Sequence, residues 1–399
     1  MEYPKKALGV MLRHNRIDQN ISLRTLAQRT GISAMYLSDV ENGVQRPADY
    51  TLRKLFSELA LPYDPDLIWQ SDFSLAPLYQ AILDFRMEVR DQLAEQLNAR
   101  RESLMASCHC AQFLLARWIV QVSRGENRSA ETLALKASLM QMEAGLEGTD
   151  LCWYQLYLGI HEKALDEVES ALHWLIQAAK SGQDEGVKAL IDYHHADCLI
   201  RLHQPQSALL MNQRALDQFS HDGYFVRAIH TRIHQIDLFL NDEPAHAQAL
   251  ALRVRQEAEQ FQCPHARLMA EERLALAALL LNQSEAALAH AQACVEVIHR
   301  PALLICGALA AYQCHRPEEC QFFINRGMAE CRRKKQTDTT FRWIEALLHQ
   351  DLKQLIQFSL QPDPLAGPLQ KKLLLLRFQT LVEAGETQMA CTLIQQACL

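Results

Sequence analysis

An all-α fold is what this sequence predicts, and three observations predict it. Only 14 Gly and 13 Pro punctuate 399 residues, too few for the many turns of a β-rich chain. Ala, Leu and Gln abound, and these are good helix formers. Apolar residues recur at three- and four-residue steps through most of the length, the period of an amphipathic helix. With 49% hydrophobic and 22% charged residues the composition is that of a folded chain with a sizeable core. The net charge of −7 is uneven: residues 1–62 hold nine Lys or Arg against six Asp or Glu, a local +3, which leaves −10 for the remainder. Any affinity for nucleic acid therefore belongs at the N-terminal end.

Residues 8 to 59 carry the clearest local grammar. Ser22 and Ser33 stand where helix N-termini need a side-chain cap. Gly31 stands between them, where a tight turn requires positive φ, and Asn42-Gly43 closes the second helix in the same way. Leu23, Leu26, Ala27, Ile32, Leu37 and Val40 make an apolar seam between these helices. Leu8 and Leu12 extend it at the front and Leu52, Leu55 and Leu59 at the back, giving a small five-helix core. A helix, tight turn and helix of this kind is the unit that lays its second helix in a DNA major groove.

The same stretch resembles the Xre or lambda-repressor-like helix-turn-helix family. The likeness rests on Leu8-Gly9, Leu26-Ala27, Thr30-Gly31-Ile32-Ser33, Tyr36-Leu37-Ser38, Glu41-Asn42-Gly43 and the Pro47 turn. It implies an ion pair between Arg16 and Glu41 that fixes the angle between helices. It also implies that Ser33, Ala34, Met35, Tyr36, Ser38 and Asp39 face base edges in a double-stranded operator. These side chains offer hydroxyls, apolar surface for thymine methyl groups and one carboxylate for cytosine N4, with no Arg for guanine, so DNA shape is expected to contribute to the preference. Arg24, Gln28, Arg46 and Lys54 are the expected phosphate contacts.

Leu61-Pro62-Tyr63-Asp64-Pro65-Asp66 is a dense turn signal. It divides the sequence into a DNA-binding domain at 1–65, a linker at 66–72 and a repeat domain at 73–399. In the last part, small residues recur on successive helices about every 35 residues: Ala171, Leu175, Ala178; Ala208, Asn212, Ala215; Ala251, Arg255, Ala258; Ala287, Ala291, Cys294; Cys320, Ile324, Gly327; and Ala390, Ile394, Ala397. The step from Ala208 to Ala251 is long and demands an insertion. One unit is missing near Trp343 to Phe358, and extrapolation backward lands on Ala134. The period, the small residues and Leu158-Gly159 resemble the tetratricopeptide repeat, which implies a right-handed α-solenoid whose first helices line a concave groove.

A single Xre-type domain followed by such repeats resembles the RRNPP group of peptide-pheromone receptors of Gram-positive bacteria. That resemblance implies a cytoplasmic, homodimeric transcription factor for quorum sensing, whose groove binds a short peptide. Two polar stripes away from the apolar seams are the expected peptide contacts: Tyr193, Asp197 and Arg201 on one helix, and Arg227, His230, His234 and Asp237 on the next. The alternatives are the same regulator controlled by a protein partner, or a repeat scaffold that sequesters a regulatory protein.

No phosphate-binding Gly-rich loop, nucleophile elbow or metalloprotease motif is present, so neither an enzyme nor a cofactor is expected. The twelve cysteines include no Cys-x-x-Cys pair and are read as reduced thiols. Cys108-His109-Cys110, Cys263-Pro264-His265 and Cys314-His315 lack zinc spacing, so no metal is expected. No apolar run approaches the ~20 residues of a membrane span, and no membrane contact is expected.

Overall fold

A computed structural model describes residues 5–69, 73–182, 184–361 and 369–397. Of the expected linker, residues 70–72 lie outside the described residues. Among the described residues the regular elements are all helical, and the chain divides into two compact units, Met1–Arg227 and Ala228–Leu399.

The first unit begins with α1 (Lys5–Asp18), α2 (Leu23–Thr30), α3 (Ala34–Glu41), α4 (Asp49–Glu58) and α5 (Pro65–Ile68). Leu8, Leu12, Leu26, Leu37, Val40, Leu52, Leu55 and Leu59 are buried together as the seam requires, joined by Met11 and Phe56. Leu23, Ala27 and Ile32 are half-buried at its edge. Next come α6 (Ala76–Leu83), α7 (Met87–Ala99) and α8 (Arg101–Met105), then three helix pairs: α9 (Cys110–Ser123) with α10 (Ala130–Met142), α11 (Gly148–Ala164) with α12 (Val168–Ser181), and α13 (Glu185–Arg201) with α14 (Pro205–His221). A short 3-10 turn, Glu143–Gly145, follows α10. The five-helix domain is joined to these pairs through α1, which packs on α9, α10 and the 3-10 turn. Asn15 Nδ2 donates to the Met105 carbonyl at 3.1 Å. Large rings fill the centre of the unit, with Trp118, Trp153, Tyr154 and Phe113 all buried.

α15 (Phe225–Phe239) spans the division of the chain. The second unit continues with α16 (Pro244–Gln260), α17 (Pro264–Leu280), α18 (Ser284–Cys294), α19 (Pro301–Gln313), α20 (Pro317–Lys334), α21 (Thr339–His349), α22 (Leu352–Ser359), α23 (Gln370–Glu383) and α24 (Thr387–Ala397). One continuous core runs from Ile229 to Leu373.

The small-residue pattern holds, with three corrections of register. Ala171, Leu175, Ala178, Ala208, Asn212, Ala215, Ala287, Ala291, Cys294, Cys320 and Ile324 are all buried. In α16, however, the residues sharing those places are Ala247, Ala251 and Val254, all fully buried, while Arg255 is only half-buried. The buried series therefore starts one turn earlier there, and no insertion is needed. The extra length lies in the helices themselves, since α13, α14, α16 and α17 each run to 17 residues. In α10 the buried positions are Leu135, Leu139 and Met142, and Ala134 is exposed. In α24 Leu393 is buried and Ile394 exposed. The missing unit is the pair α21 and α22, where Leu355 and Ser359 take the buried places. Glycine is needed where backbones meet: a Cβ on Gly159 would stand 2.7 Å from the Leu175 side chain and 3.1 Å from the Ala171 carbonyl oxygen.

The repeat turns have a grammar of their own. Asp166, His203, Gln262, Asn282 and His315 all hold left-handed φ between 53° and 74°. Each is followed by one residue and then a new helix, which opens with Pro205, Pro264 or Pro317 in three of the five. Proline is favoured at a first helical position because its missing N–H has no partner to lose. The Cys–His motifs fall at such junctions: His315 is a turn residue, and His109 and Cys263 precede the helices α9 and α17. The cysteines among the described residues are free thiols, most of them buried, and burial pushes Cys108 and Cys294 up to about 12.

Candidate functional site

The presentation of α3 is determined by four local devices. Ser22 Oγ accepts from the Thr25 N–H at 3.0 Å and Ser33 Oγ from the Tyr36 N–H at 3.2 Å. Gly31 turns the chain between them at φ 68°, donating its N–H to the Ala27 carbonyl. Gly9 lets α1 touch the end of α3, since a Cβ there would lie 2.3 Å from the Val40 carbonyl oxygen. Arg16 grips Glu41 with two bonds, Nε to Oε1 at 2.6 Å and Nη2 to Oε2 at 2.7 Å, and its Nη1 donates to the Ile21 carbonyl at 2.9 Å. With side chains 10% and 8% exposed, the pair is nearly buried, and the bond to Glu41 raises the Arg16 pKa.

With Leu37 and Val40 turned into the core, the opposite face of α3 is open. Met35 is 78% exposed, Ser33 is exposed, and Ala34, Tyr36, Ser38 and Asp39 are half-exposed. The Ser38 hydroxyl accepts from Asn42 Nδ2 at 3.3 Å. Arg24 and Gln28 are exposed on α2. Arg46 lies 5.3 Å over the Trp69 ring. Lys54 Nζ reaches the Thr30 carbonyl at 3.4 Å and lies 4.7 Å over the Tyr50 ring. Sequence reading passed over Val44 and Tyr50, which are 63% and 67% exposed. Both are apolar or aromatic residues off the Leu52, Leu55, Leu59 period, and that mismatch is the signal that could have revealed them.

The two polar stripes of the repeats are largely engaged by neighbouring first helices. In the first unit Lys163 of α11 contacts Asp197 at 2.6 Å and His194 Nδ1 at 2.9 Å. Arg201 donates to the Lys163 carbonyl at 3.2 Å and stands 3.6 Å from Asp166 and 3.7 Å from Asp197. Tyr193 lies beside the His194 ring. Arg227 is buried, donating to the carbonyls of Ile82 and Leu83 and lying 4.8 Å over Phe85. The expectation that it lines an open groove gives way here to a helix-capping contact. Burial also lowers its pKa.

In the second unit Asp237 is held by Arg273 of α17 through bonds of 2.9 and 2.8 Å, and Arg273 also binds Glu272 at 2.6 Å. His230 is buried 6.0 Å from the His265 ring, and His234 is half-buried. Lys163, Glu272 and Arg273 were missed in the sequence. Glu271-Glu272-Arg273 inside an otherwise apolar helix was the available signal, because charges in such a setting are buried only when paired.

Comparison with known proteins gives the class. Residues 12–65 match a helix-turn-helix family, while no curated protein matches the chain. Among solved structures, a Rap protein complexed with Competence and Sporulation Factor aligns with TM-score 0.62 at 13% identity, over 81% of this chain and 95% of that one. NprR in complex with its cognate peptide NprX aligns with TM-score 0.57 at 14% identity, over 82% and 98%. Aspartyl phosphate phosphatase F from Bacillus subtilis aligns with TM-score 0.51 at 15% identity, over 80% and 90%. At these identities the likeness establishes fold. The chain thus carries a helix-turn-helix domain followed by tetratricopeptide-like helix pairs. Among the described residues no helix is long and apolar enough to cross a membrane.

Proposed function

We propose that this chain is a transcriptional regulator that binds an operator as a homodimer and senses a short peptide through its repeats. The observation that carries the DNA reading is the open face of α3, with Met35 at 78% exposure beside a buried Arg16–Glu41 brace. Ser33, Ala34, Met35, Tyr36, Ser38 and Asp39 are the proposed base-reading set, and Arg24, Gln28, Arg46 and Lys54 the phosphate set. One such domain reads a half-site, so two copies on an inverted repeat about 10 base pairs apart, or a multiple of that, supply affinity that a local charge of +3 does not. The peptide reading is supported by the likeness in fold to NprR, determined in complex with its cognate peptide NprX, and to the Rap protein complexed with Competence and Sporulation Factor. Of the proposed peptide contacts, Arg201 is the most accessible, 42% exposed and in loose pairs.

Selection from a random duplex library, followed by titration, tests the DNA reading. Met35→Ala and Asp39→Ala are expected to change the preference among selected sequences. Arg24→Ala is expected to weaken all duplexes alike and to reduce the salt slope by about one. Equal behaviour of the two classes, or no enrichment over random sequence, overturns it and favours the scaffold reading.

A further inference from the structure

α6 is an eight-residue helix, APLYQAIL, and a helix that short has no stability of its own in water. Its shape is imposed by what it touches. Leu78, Tyr79, Ala81, Ile82 and Leu83 are all buried, so it is covered on more than one side. α7 packs on it. Further contacts come from, or lie next to, first helices of successive pairs. The Tyr79 ring stacks on Trp153 of α11 at 4.4 Å with 5° between the planes, and its hydroxyl donates to Asp150 at 2.7 Å. α13 packs against it, and Gln80 Nε2 lies 3.4 Å from the hydroxyl of Tyr224, next to α15. Arg227, in the first turn of α15, donates to the carbonyls of Ile82 and Leu83. The last carbonyls of a helix lack partners from a following turn, Ile82 accepting here also from the Phe85 N–H at 3.2 Å, and a cation there suits the helix dipole.

The first-helix face of such repeats is the surface that holds extended or helical peptides. In this unit part of that face already has an occupant, and the occupant is a segment of the same chain. Arg227, one of the polar residues expected to hold a peptide, holds the end of α6 instead.

Resting on the peptide-sensing reading, we infer that α6 is an internal ligand: residues 74–86 occupy part of the peptide site, and an external peptide binds there in competition with them. A carboxylate is a stronger acceptor for a guanidinium than a neutral carbonyl is. A peptide whose C-terminal carboxylate reaches Arg227 therefore draws it from Ile82 and Leu83 and loosens the last turn of α6. The release has a short path to the DNA-binding domain, because α5 ends only a few residues before α6 and the Ile68 carbonyl accepts from the Cys108 N–H at 3.2 Å.

The test supplies the occupant in trans and needs no knowledge of the natural signal. A fluorescein-labelled synthetic peptide of residues 74–86 is titrated against the full-length chain and against a full-length variant loosened at α6, Tyr79→Ala with Ile82→Ser. At least tenfold tighter binding to the variant is expected, and adding Arg227→Gln to it should reduce that affinity about tenfold, the loss of one charge-assisted hydrogen bond. Equal binding to both chains, or to neither while hydrogen exchange shows α11 to α14 still protected, overturns the inference. Should the variant not fold, exchange in the unmutated chain decides: α6 amides exchanging at least tenfold faster than those of α11 support it, and α6 amides as slow as α11 overturn it. A chain that senses no external peptide at all would leave the result in trans unchanged, so failure of the wider reading is separately visible.

Discussion

The five-helix domain and the helix pairs are both all-helical, yet they hold their helices by different means. In the domain the helix-turn-helix itself is set by polar devices: Ser22 and Ser33 cap, Gly31 reverses the chain, and one nearly buried ion pair braces α1 against α3. In the pairs, caps by side chains are rarer, and turns run through residues such as His203 and Gln262 in left-handed geometry before a proline. Small buried residues replace the brace. A short domain with little core gains from specifying its central junction chemically. A repeat array buries a continuous core, and each pair is oriented by the packing of its neighbours.

Five substitutions can break or sharpen that contrast, each read helix by helix through hydrogen exchange because the chain has more than one unit. The largest effect is expected at Glu41→Ala, which strands the buried Arg16 and should cost about 3 kcal/mol of protection across α1 to α3. Asp237→Ala, which removes the partly exposed partner of Arg273, should cost less than half as much, and equal losses would erase the contrast between brace and packing. A middle effect is expected at Gly9→Ala, where the new methyl meets the Val40 carbonyl at 2.3 Å and the overpacking should cost about 2 kcal/mol. Protection of α1 and α3 unchanged by that substitution would mean that the two backbones can separate freely.

The smallest effects test the turns and are expected to have opposite signs. Gly31→Ala meets nothing within 4 Å, so its cost is that of left-handed backbone alone, about 1 kcal/mol. His203→Gly removes the same cost from a repeat turn at φ 56° and should stabilise α13 and α14 by up to about 1 kcal/mol. A loss of protection at His203→Gly would show that the histidine side chain contributes more than its backbone costs.

The five-helix domain was legible almost residue by residue, because its signals are local: a cap, a turn glycine and a seam lie within one or two helices of each other. The repeats were legible as a period but not in register. At α16 two triplets, Ala247-Ala251-Val254 and Ala251-Arg255-Ala258, fit the helical period. Only the burial of Val254 in place of Arg255 distinguishes them.

The proposed DNA-reading face could be listed from the sequence because a helix surface follows from its seam. The state of the polar stripes could not. Whether Asp237 meets a ligand or Arg273, and whether Arg227 lines a groove or caps α6, depends on residues 36 and 145 positions away.

By itself, then, the sequence determined the helical class, the helix-turn-helix grammar and the presence of paired repeats, since these arise from propensity, capping and periodicity within a few turns of chain. Tertiary structure alone decided which alanines meet, which charges neutralise one another between successive helices, and that α6 covers part of the first-helix face. Those outcomes depend on which distant groups share a desolvated space, and a buried charge or an orphan carbonyl takes the partner that packing brings to it.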